Sequence, residues 1–338
     1  MLEDGLILHG GALGDLVLTL QLALRLAGRR GSDVEPAGTL HVVSRVDPGD
    51  LSMCQPAIVR RSSEGFGLHW LYGDHDDPPP ERLQQLVSGR CILSALGGPH
   101  TLAHQRLLEL RPAAAYGFDP QPHPNMQRHI TEQWQTQLAG QGVLVPRCIH
   151  QRPAQRGLGV PEALRVSGRT WLEMLGVEGE AVVVHPGSGG RGKCWPLKCY
   201  VEVGRLLRAA HGGEGRLTPC ILLGPVEVET WDESELAALR DEFAVLCCPE
   251  MDELVALLAA ARAFVGNDAG PGHLAALLGT PSVTLFGPTS ANVWHPLGRR
   301  AQVLSGDPAA RPEDWGISPQ SVVEAVQAAL VESGDQGR

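Results

Sequence analysis

Three glycine-rich turns in this chain each follow a short apolar run and lead into a helical pattern: HGGALGD at 9–15, HPGSGGRGK at 185–193 and NDAGPGH at 267–273. A glycine turn between strand and helix is the join of a βαβ unit. In parallel sheets, ligands gather at the carboxyl ends of the strands, where a helix N-terminus offers free N–H groups and partial positive charge to an anion. Three such joins, one in the first half and two in the second, narrow the fold more than any other feature of the chain.

The rest of the pattern agrees. Apolar runs at 5–9, 39–44 and 91–95 alternate with helical periodicity at 16–27, 101–110 and 130–139. The alternation restarts at 181–184 and continues through strands at 220–223, 245–247, 263–265 and 282–286. The helices between them fall at 197–210, 233–240, 251–261 and 273–278, the last closed by Gly279 as a C′ glycine. A final helix spans about 319–332, with Ser318 as its N-cap. Residues 266–272 read as an irregular turn. Residues 150–168, spaced by Pro153, Gly157, Gly159 and Pro161, read as the linker. The expected architecture is α/β, two doubly wound parallel-sheet domains.

Composition excludes several classes. A chain of 338 residues has room for two domains, and 43% hydrophobic content is too high for a disordered one. A net charge of −10 argues against nonspecific nucleic-acid binding. The eight cysteines form no C-x-x-C pair and no zinc spacing, and no signal peptide precedes the first strand, so reduced thiols in the cytoplasm are expected. No run of about 18 apolar residues occurs, so membrane contact is expected to be peripheral. Of 28 basic residues only two are lysines, Lys193 and Lys198. An ammonium is a compact point charge, and its placement beside a glycine turn suggests a purpose.

Each turn has its own chemistry. HGGALGD matches a dinucleotide fingerprint only at Gly11 and Gly14, and the second strand ends Val43-Ser44-Arg45 without the acid that grips a ribose. Asp15 stands where a helix starts, as a base toward a substrate or as a simple cap acid. In HPGSGGRGK, Ser188, Gly189, Gly190 and Gly192 can bring backbone amides to an anion that Arg191 and Lys193 neutralise. Pro186 stands where a nucleophile elbow needs its first glycine, and the spacing is not that of a P-loop. Asp74, His75, Asp76 and Asp77 read as a solvated acidic loop, and no histidine is assigned to a metal.

GDLVLTL at 14–20, HPGSGGRGKCWP at 185–196 and GNDAGPGHLAALLGTPSVTLFGPT at 266–289 together resemble glycosyltransferase family 9, the ADP-heptose:lipopolysaccharide heptosyltransferases. The stretch from Tyr116 to Trp134 is similar to that family's linking segment. The resemblance implies a GT-B fold, with two Rossmann-like domains facing a central cleft. The implied boundaries are 1–160 for an acceptor-binding domain and 161–317 for a nucleotide-sugar-binding domain, with the helix at 318–333 able to return to the first. The implied reaction is inverting and metal-independent, moving a heptose or similar sugar from ADP-heptose to a lipopolysaccharide-core-like glycolipid, with no cofactor. Asp15 matches the general base, beside the acceptor-side loop of Gly11 and Gly14. Lys193 matches the lysine on the donor phosphate. Asp268 matches the aspartate on the donor sugar, followed by Ala269, Gly270, Pro271, Gly272 and His273 around the β-phosphate. Ser188 falls near the phosphate-binding hydroxyls, and Glu229 and Met251 near ribose and adenine.

The chain departs from the family at Ala269, where serine or threonine is usual, at Gly272, where a larger residue is usual, and at Gln21, in the place of a proline. The implied location is the cytoplasm, or the inner face of the cytoplasmic membrane. The competing readings are a nucleotide-sugar-binding protein of the same fold without transfer activity and, with the ribose acid missing, a nucleotide-dependent oxidoreductase.

Overall fold

The computed structural model describes residues 4–27, 38–73, 77–143, 158–212 and 215–331. The chain divides into two compact units, residues 1–151 and 152–338. The boundary precedes the expected one at 160, and Leu158 N–H already donates to Leu277 O at 3.2 Å, within the second unit.

The first unit contains β1 (Leu6–His9), α1 (Leu13–Ala27), β2 (Thr39–Ser44), β3 (Ala57–Ser62), α2 (Glu81–Val87), β4 (Cys91–Ser94), α3 (Leu102–Glu109), β5 (Ala114–Gly117) and α4 (Ile130–Gly140), with a 3₁₀ turn at Leu68–Tyr72. Its sheet is wholly parallel, in the order β3-β2-β1-β4-β5. Chain direction across the sheet reverses between β1 and β4, so the crevice for a ligand opens where those two strands end. Leu6, Leu8, Val43 and Ile92 form the core on one face with Trp70, Leu83 and Leu107.

The second unit contains α5 (Glu162–Met174), β6 (Glu180–His185), α6 (Leu197–Ala209), β7 (His211–Gly212), β8 (Gly215–Leu223), α7 (Pro225–Thr230), α8 (Glu233–Glu242), β9 (Ala244–Cys247), α9 (Met251–Ala260), β10 (Ala263–Asn267), α10 (Gly270–Leu277), β11 (Ser282–Phe286), α11 (Ala291–Trp294), β12 (Ala301–Ser305) and α12 (Pro319–Val331). Its parallel strands run β12-β11-β10-β6-β8-β9, and the short β7 pairs antiparallel with the start of β8. The switch point here lies between β6 and β10, the strands that feed the second and third glycine turns. β10 and β11 are buried along their whole length, as central strands covered on both faces must be.

Three expectations are corrected. Residues 162–168, assigned to the linker, are the first half of α5. Gly168 is not a breaker there: a methyl group on it would overlap the carbonyl of Ala256, so glycine permits a close crossing of α5 on α9. Gly270, Pro271 and Gly272, expected in an irregular turn, form the first turn of α10, because proline fits in the first turn of a helix, where its missing N–H has no intrahelical acceptor to lose. The last helix, which the resemblance allowed to return to the first domain, packs on the second unit, with Val322, Val323, Val326 and Leu330 in the core that includes Val182, Val265 and Val283. Asp74, His75 and Asp76 of the acidic loop lie outside the described residues.

Candidate functional site

The two loops at the β6/β10 switch point are bound to each other. Asn267, the last residue of β10 and fully buried, donates from Nδ2 to the carbonyls of Pro186 and Gly187 at 2.8 and 3.1 Å. Its Oδ1 accepts the N–H of Trp195 at 2.9 Å. Ser188 Oγ donates to the backbone carbonyl of Asp268 at 3.0 Å. One buried side chain and one hydroxyl thus hold both ends of 186–195 against the start of the next loop. Trp195 is itself fixed, edge-on to Tyr200 at 5.1 Å and donating from Nε1 to Asp314 O at 2.7 Å. Between these anchors Gly189, Gly190 and Gly192 meet no neighbour that would oppose a Cβ, so the turn stands clear of other atoms.

Glu227 on α7, two residues before Glu229, is the second brace. Its buried carboxylate accepts from Ser188 N at 3.2 Å and from Gly224 N at 2.8 Å, which ties the turn after β6 to the turn after β8. The carboxylate occupies the volume a side chain on Gly187 would need, so that glycine is required by packing. The only signal for Glu227 is its place three residues after Gly224, at the N3 position of a helix. His185 at the end of β6 is buried with Nδ1 3.0 Å from Leu222 O. Burial pushes its pKa down, partly offset by that carbonyl and by Glu227. Burial and the same glutamate push the Cys194 thiol up to about 11, so it is no ready nucleophile.

The charged groups divide into committed and available. Arg191, expected with Lys193 to meet an anion, pairs with Glu235 and stands 5.7 Å over the Trp231 ring. Lys193 closes the 3₁₀ turn Arg191–Lys193 and is exposed. Glu229 is exposed on α7 and Met251 is half-buried at the first position of α9. Both follow the carboxyl ends of their strands, β8 and β9. No side-chain oxygen caps α10, since Ala269 occupies the N-cap position. Within that first turn Pro271 has no N–H and the Gly272 N–H donates to Ala269 O at 3.1 Å, so it is the partial positive charge of the helix start that favours an anion there. Asp268 is half-buried, with Oδ1 3.9 Å from Nε2 of the buried His273, whose Nδ1 has no hydrogen-bond partner.

In the first unit Asp15 lies in the first turn of α1, and Thr19 Oγ1 donates to its backbone carbonyl at 2.8 Å. His9, the last residue of β1, accepts the N–H of Gly11 on Nδ1 at 3.2 Å, which leaves the ring proton on Nε2. Burial lowers its pKa to about 4. A methyl group on Gly11 would fall 3.0 Å from His9 Cε1 and 3.1 Å from Asp15 Oδ2, so the imidazole and the carboxylate flank the same glycine. Gly14 belongs to the first turn of α1 itself. Beside His9 a groove of about 580 Å³ opens at the carboxyl ends of the strands, lined by Gly10, Arg45, Glu64, His69 and Tyr72. Among the described residues no group of three or more His, Cys, Asp or Glu side chains is placed to hold a metal ion.

A model of glycosyltransferase family 9 (heptosyltransferase) matches residues 152–314. The matched stretch holds the β6 and β10 loops, Glu227 and α10. Lipopolysaccharide heptosyltransferase 2 of Salmonella typhimurium is 32% identical over 162 residues, which cover 43% of this chain and 45% of that protein. The chain thus spans about half the length of this relative. Two solved structures share the fold of the whole chain. The glycosyl transferase family 9 protein from Veillonella parvula has a TM-score of 0.67 at 16% identity, covering 98% of this chain and 99% of that one. Escherichia coli ADP-heptose lps heptosyltransferase II has a TM-score of 0.63 at 19% identity, covering 97% and 99%. The chain therefore has the GT-B fold of these structures, two parallel-sheet α/β domains.

Proposed function

We propose that this protein is an inverting heptosyltransferase that moves a heptose from ADP-heptose to a hydroxyl of a lipopolysaccharide-core-like glycolipid. The observation that carries the reading is the pairing of the two loops at the β6/β10 switch point through Asn267 and Ser188, inside the stretch matched by the family 9 model. The names of the relatives support the donor and the acceptor class.

Transfer expels a nucleoside diphosphate, so negative charge grows on the leaving group. Lys193, the open glycine turn and the uncapped start of α10 supply positive potential at that place. One preorganised donor of this kind is typically worth about 3 kcal/mol. On this reading the reaction proceeds without a metal ion, Lys193 takes the diphosphate and Asp268 orients the sugar. Ser188, Ala269, Gly270, Pro271, Gly272 and His273 surround the phosphates, and Glu229 and Met251 lie toward the nucleoside. The residues up to 151 take the acceptor. Asp15 removes its proton, with Gly11 and Gly14 shaping the turn and the groove beside His9 receiving the acceptor sugar. No described helix is long and apolar enough to cross a membrane, and a glycolipid acceptor would bring the enzyme to the inner face of the cytoplasmic membrane.

The test is release of ADP from ADP-heptose in the presence of a purified lipopolysaccharide core acceptor, with the product identified by mass. A chelator in excess should leave the rate unchanged. ADP-heptose bound tightly but never turned over, with acceptors of several core types, would make this a binding protein. Activity lost with chelator and restored by a divalent ion would remove the metal-independent part.

A further inference from the structure

At the opposite edge of the second sheet, where the strands begin, lies a cavity of about 720 Å³. It opens between the first residues of β6, the residues just before β10, β11 and β12, and one face of α5. Four arginines line it, two from α5 and two from the strand starts: Arg165, Arg169, Arg262 and Arg300. Arg165, Arg169, Leu172, Glu173 and Gly176 recur at helical spacing, so a single stripe of α5 forms one wall. β10 has five residues, which at about 3.3 Å per residue places this cavity roughly 17 Å from the loops at the other end of the strand.

Capping explains part of this charge. Arg165 donates to Ala259 O at 2.7 Å and Arg300 donates to Gly279 O, at the C-terminal ends of α9 and α10, where cations are favoured. Arg169 pairs with Glu162 at 2.5 Å. Capping does not explain the crowding. The Arg300 guanidinium has its pKa lowered by burial and then by repulsion from Arg262, Arg165 and Arg299. The chain as a whole is acidic, with a net charge of −10, and has gathered these cations in one cavity. Arg262 Nε lies 3.2 Å from Glu180 Oε1, yet it is buried and in no hydrogen bond. Three carboxylates line the cavity too: Glu173 and Glu178 are exposed, while Glu180 is half-buried beside Arg262, with its Oε2 in no hydrogen bond. A guanidinium has five donors in a planar fork, and the Ala259 carbonyl occupies one of those of Arg165. Several forks converging on one space match the oxygens of a phosphate, which accept in pairs.

We propose that this cavity is a second anion site, holding a phosphate-bearing ligand in a clamp of Arg165, Arg262 and Arg300 with Arg169 at its mouth. The phosphate belongs either to a soluble compound or to a lipid headgroup.

Pyrophosphate titrated calorimetrically into full-length protein carrying Lys193→Ala, which weakens the donor loops, reads the site. We expect one saturable site in that background, and Arg165→Gln or Arg300→Gln should each weaken it about tenfold or more, as loss of a charge-assisted hydrogen bond does. Arg169→Glu, at an exposed position, tests the same clamp if the buried substitutions impair folding. A second arm measures flotation with phosphatidylglycerol and with phosphatidylcholine vesicles. Arginine-dependent pyrophosphate binding supports the site with a soluble source. Arginine-dependent flotation with phosphatidylglycerol alone supports it with a lipid source. Binding of neither probe, or binding that all three substitutions leave unchanged, overturns it. None of these outcomes depends on heptose transfer.

Discussion

Asn267 accepts the backbone N–H of Trp195 on its Oδ1 at 2.9 Å, across 72 residues of sequence, while its Nδ2 holds the carbonyls of Pro186 and Gly187. Two acceptors and one donor of the β6 loop are therefore satisfied by a single amide from the next strand. An aspartate keeps the shape and one of these bonds, but turns a donor into an acceptor facing two carbonyls. Asn267→Ala should cost about 3 kcal/mol, because three polar groups are left buried without partners. Asn267→Asp should cost at least as much despite being isosteric. Urea unfolding of both variants checks this, and an aspartate variant as stable as the parent would show that the amide is not the bond between the loops.

The sequence made the strand-turn-helix rhythm legible because buried parallel strands are continuous apolar runs and their turns are marked by glycine. β1, β2, β4, β6, β10 and β11 were all found this way. The misses have physical causes. β3 reads AIVRRS, with its second half exposed, and β12 is only half-buried, so neither presents an apolar run. The start of α5 reads as linker because the residue that Gly168 packs on, Ala256, is distant in sequence. Asp268, Gly270 and His273 stood out as a motif. Asn267 and Glu227 act through backbone groups of other loops, partners that lie far away in sequence.

His9 makes stability depend on pH. Its folded pKa is about 4, and the ring in the unfolded chain titrates near 6.5. Between those values the unfolded state binds the extra proton, so stability falls as pH falls from about 6.5 to 4, and His9 adds no further loss below that. At about 1.4 kcal/mol per unit, the loss from this one residue approaches roughly 3 kcal/mol. The buried His185 acts in the same direction. His9→Asn keeps an acceptor for the Gly11 N–H and removes the titration. Unfolding midpoints at pH 7 and pH 4.5 should therefore differ less in the variant than in the parent, and an equal difference would refute the assignment.

Asp15 and Gly11 should fail in the same kinetic term. If Asp15 takes the acceptor proton, Asp15→Ala lowers kcat by about 10²–10⁴-fold and leaves donor affinity near that of the parent. Gly11→Ala places a methyl group 3.1 Å from Asp15 Oδ2 and 3.0 Å from the His9 ring, so one of them must move. It should lower kcat by a smaller factor, again without weakening the donor. Steady-state rates with ADP binding measured in parallel decide this. Turnover of Asp15→Ala within a few-fold of the parent would make Asp15 a cap for α1 rather than a base.

Lys193 and Asp268 should have separable jobs. Lys193 is exposed on the 3₁₀ turn, free to meet a diphosphate, whereas Asp268 is half-buried beside His273 and its backbone carbonyl is held by Ser188. Lys193→Ala should weaken ADP and ADP-heptose alike, by about 1.5–3 kcal/mol, or one to two decades in affinity. Asp268→Ala should spare ADP, since the Ser188 bond uses the main chain and survives the substitution. It should weaken only the intact sugar nucleotide and slow transfer, if the carboxylate orients the sugar as proposed. Its removal also takes a negative charge away from the phosphates, so ADP affinity should hold or rise slightly. Four calorimetric titrations, two variants against two ligands, separate these effects. Were Asp268→Ala to weaken ADP as much as Lys193→Ala does, the carboxylate would instead be a brace for the start of α10.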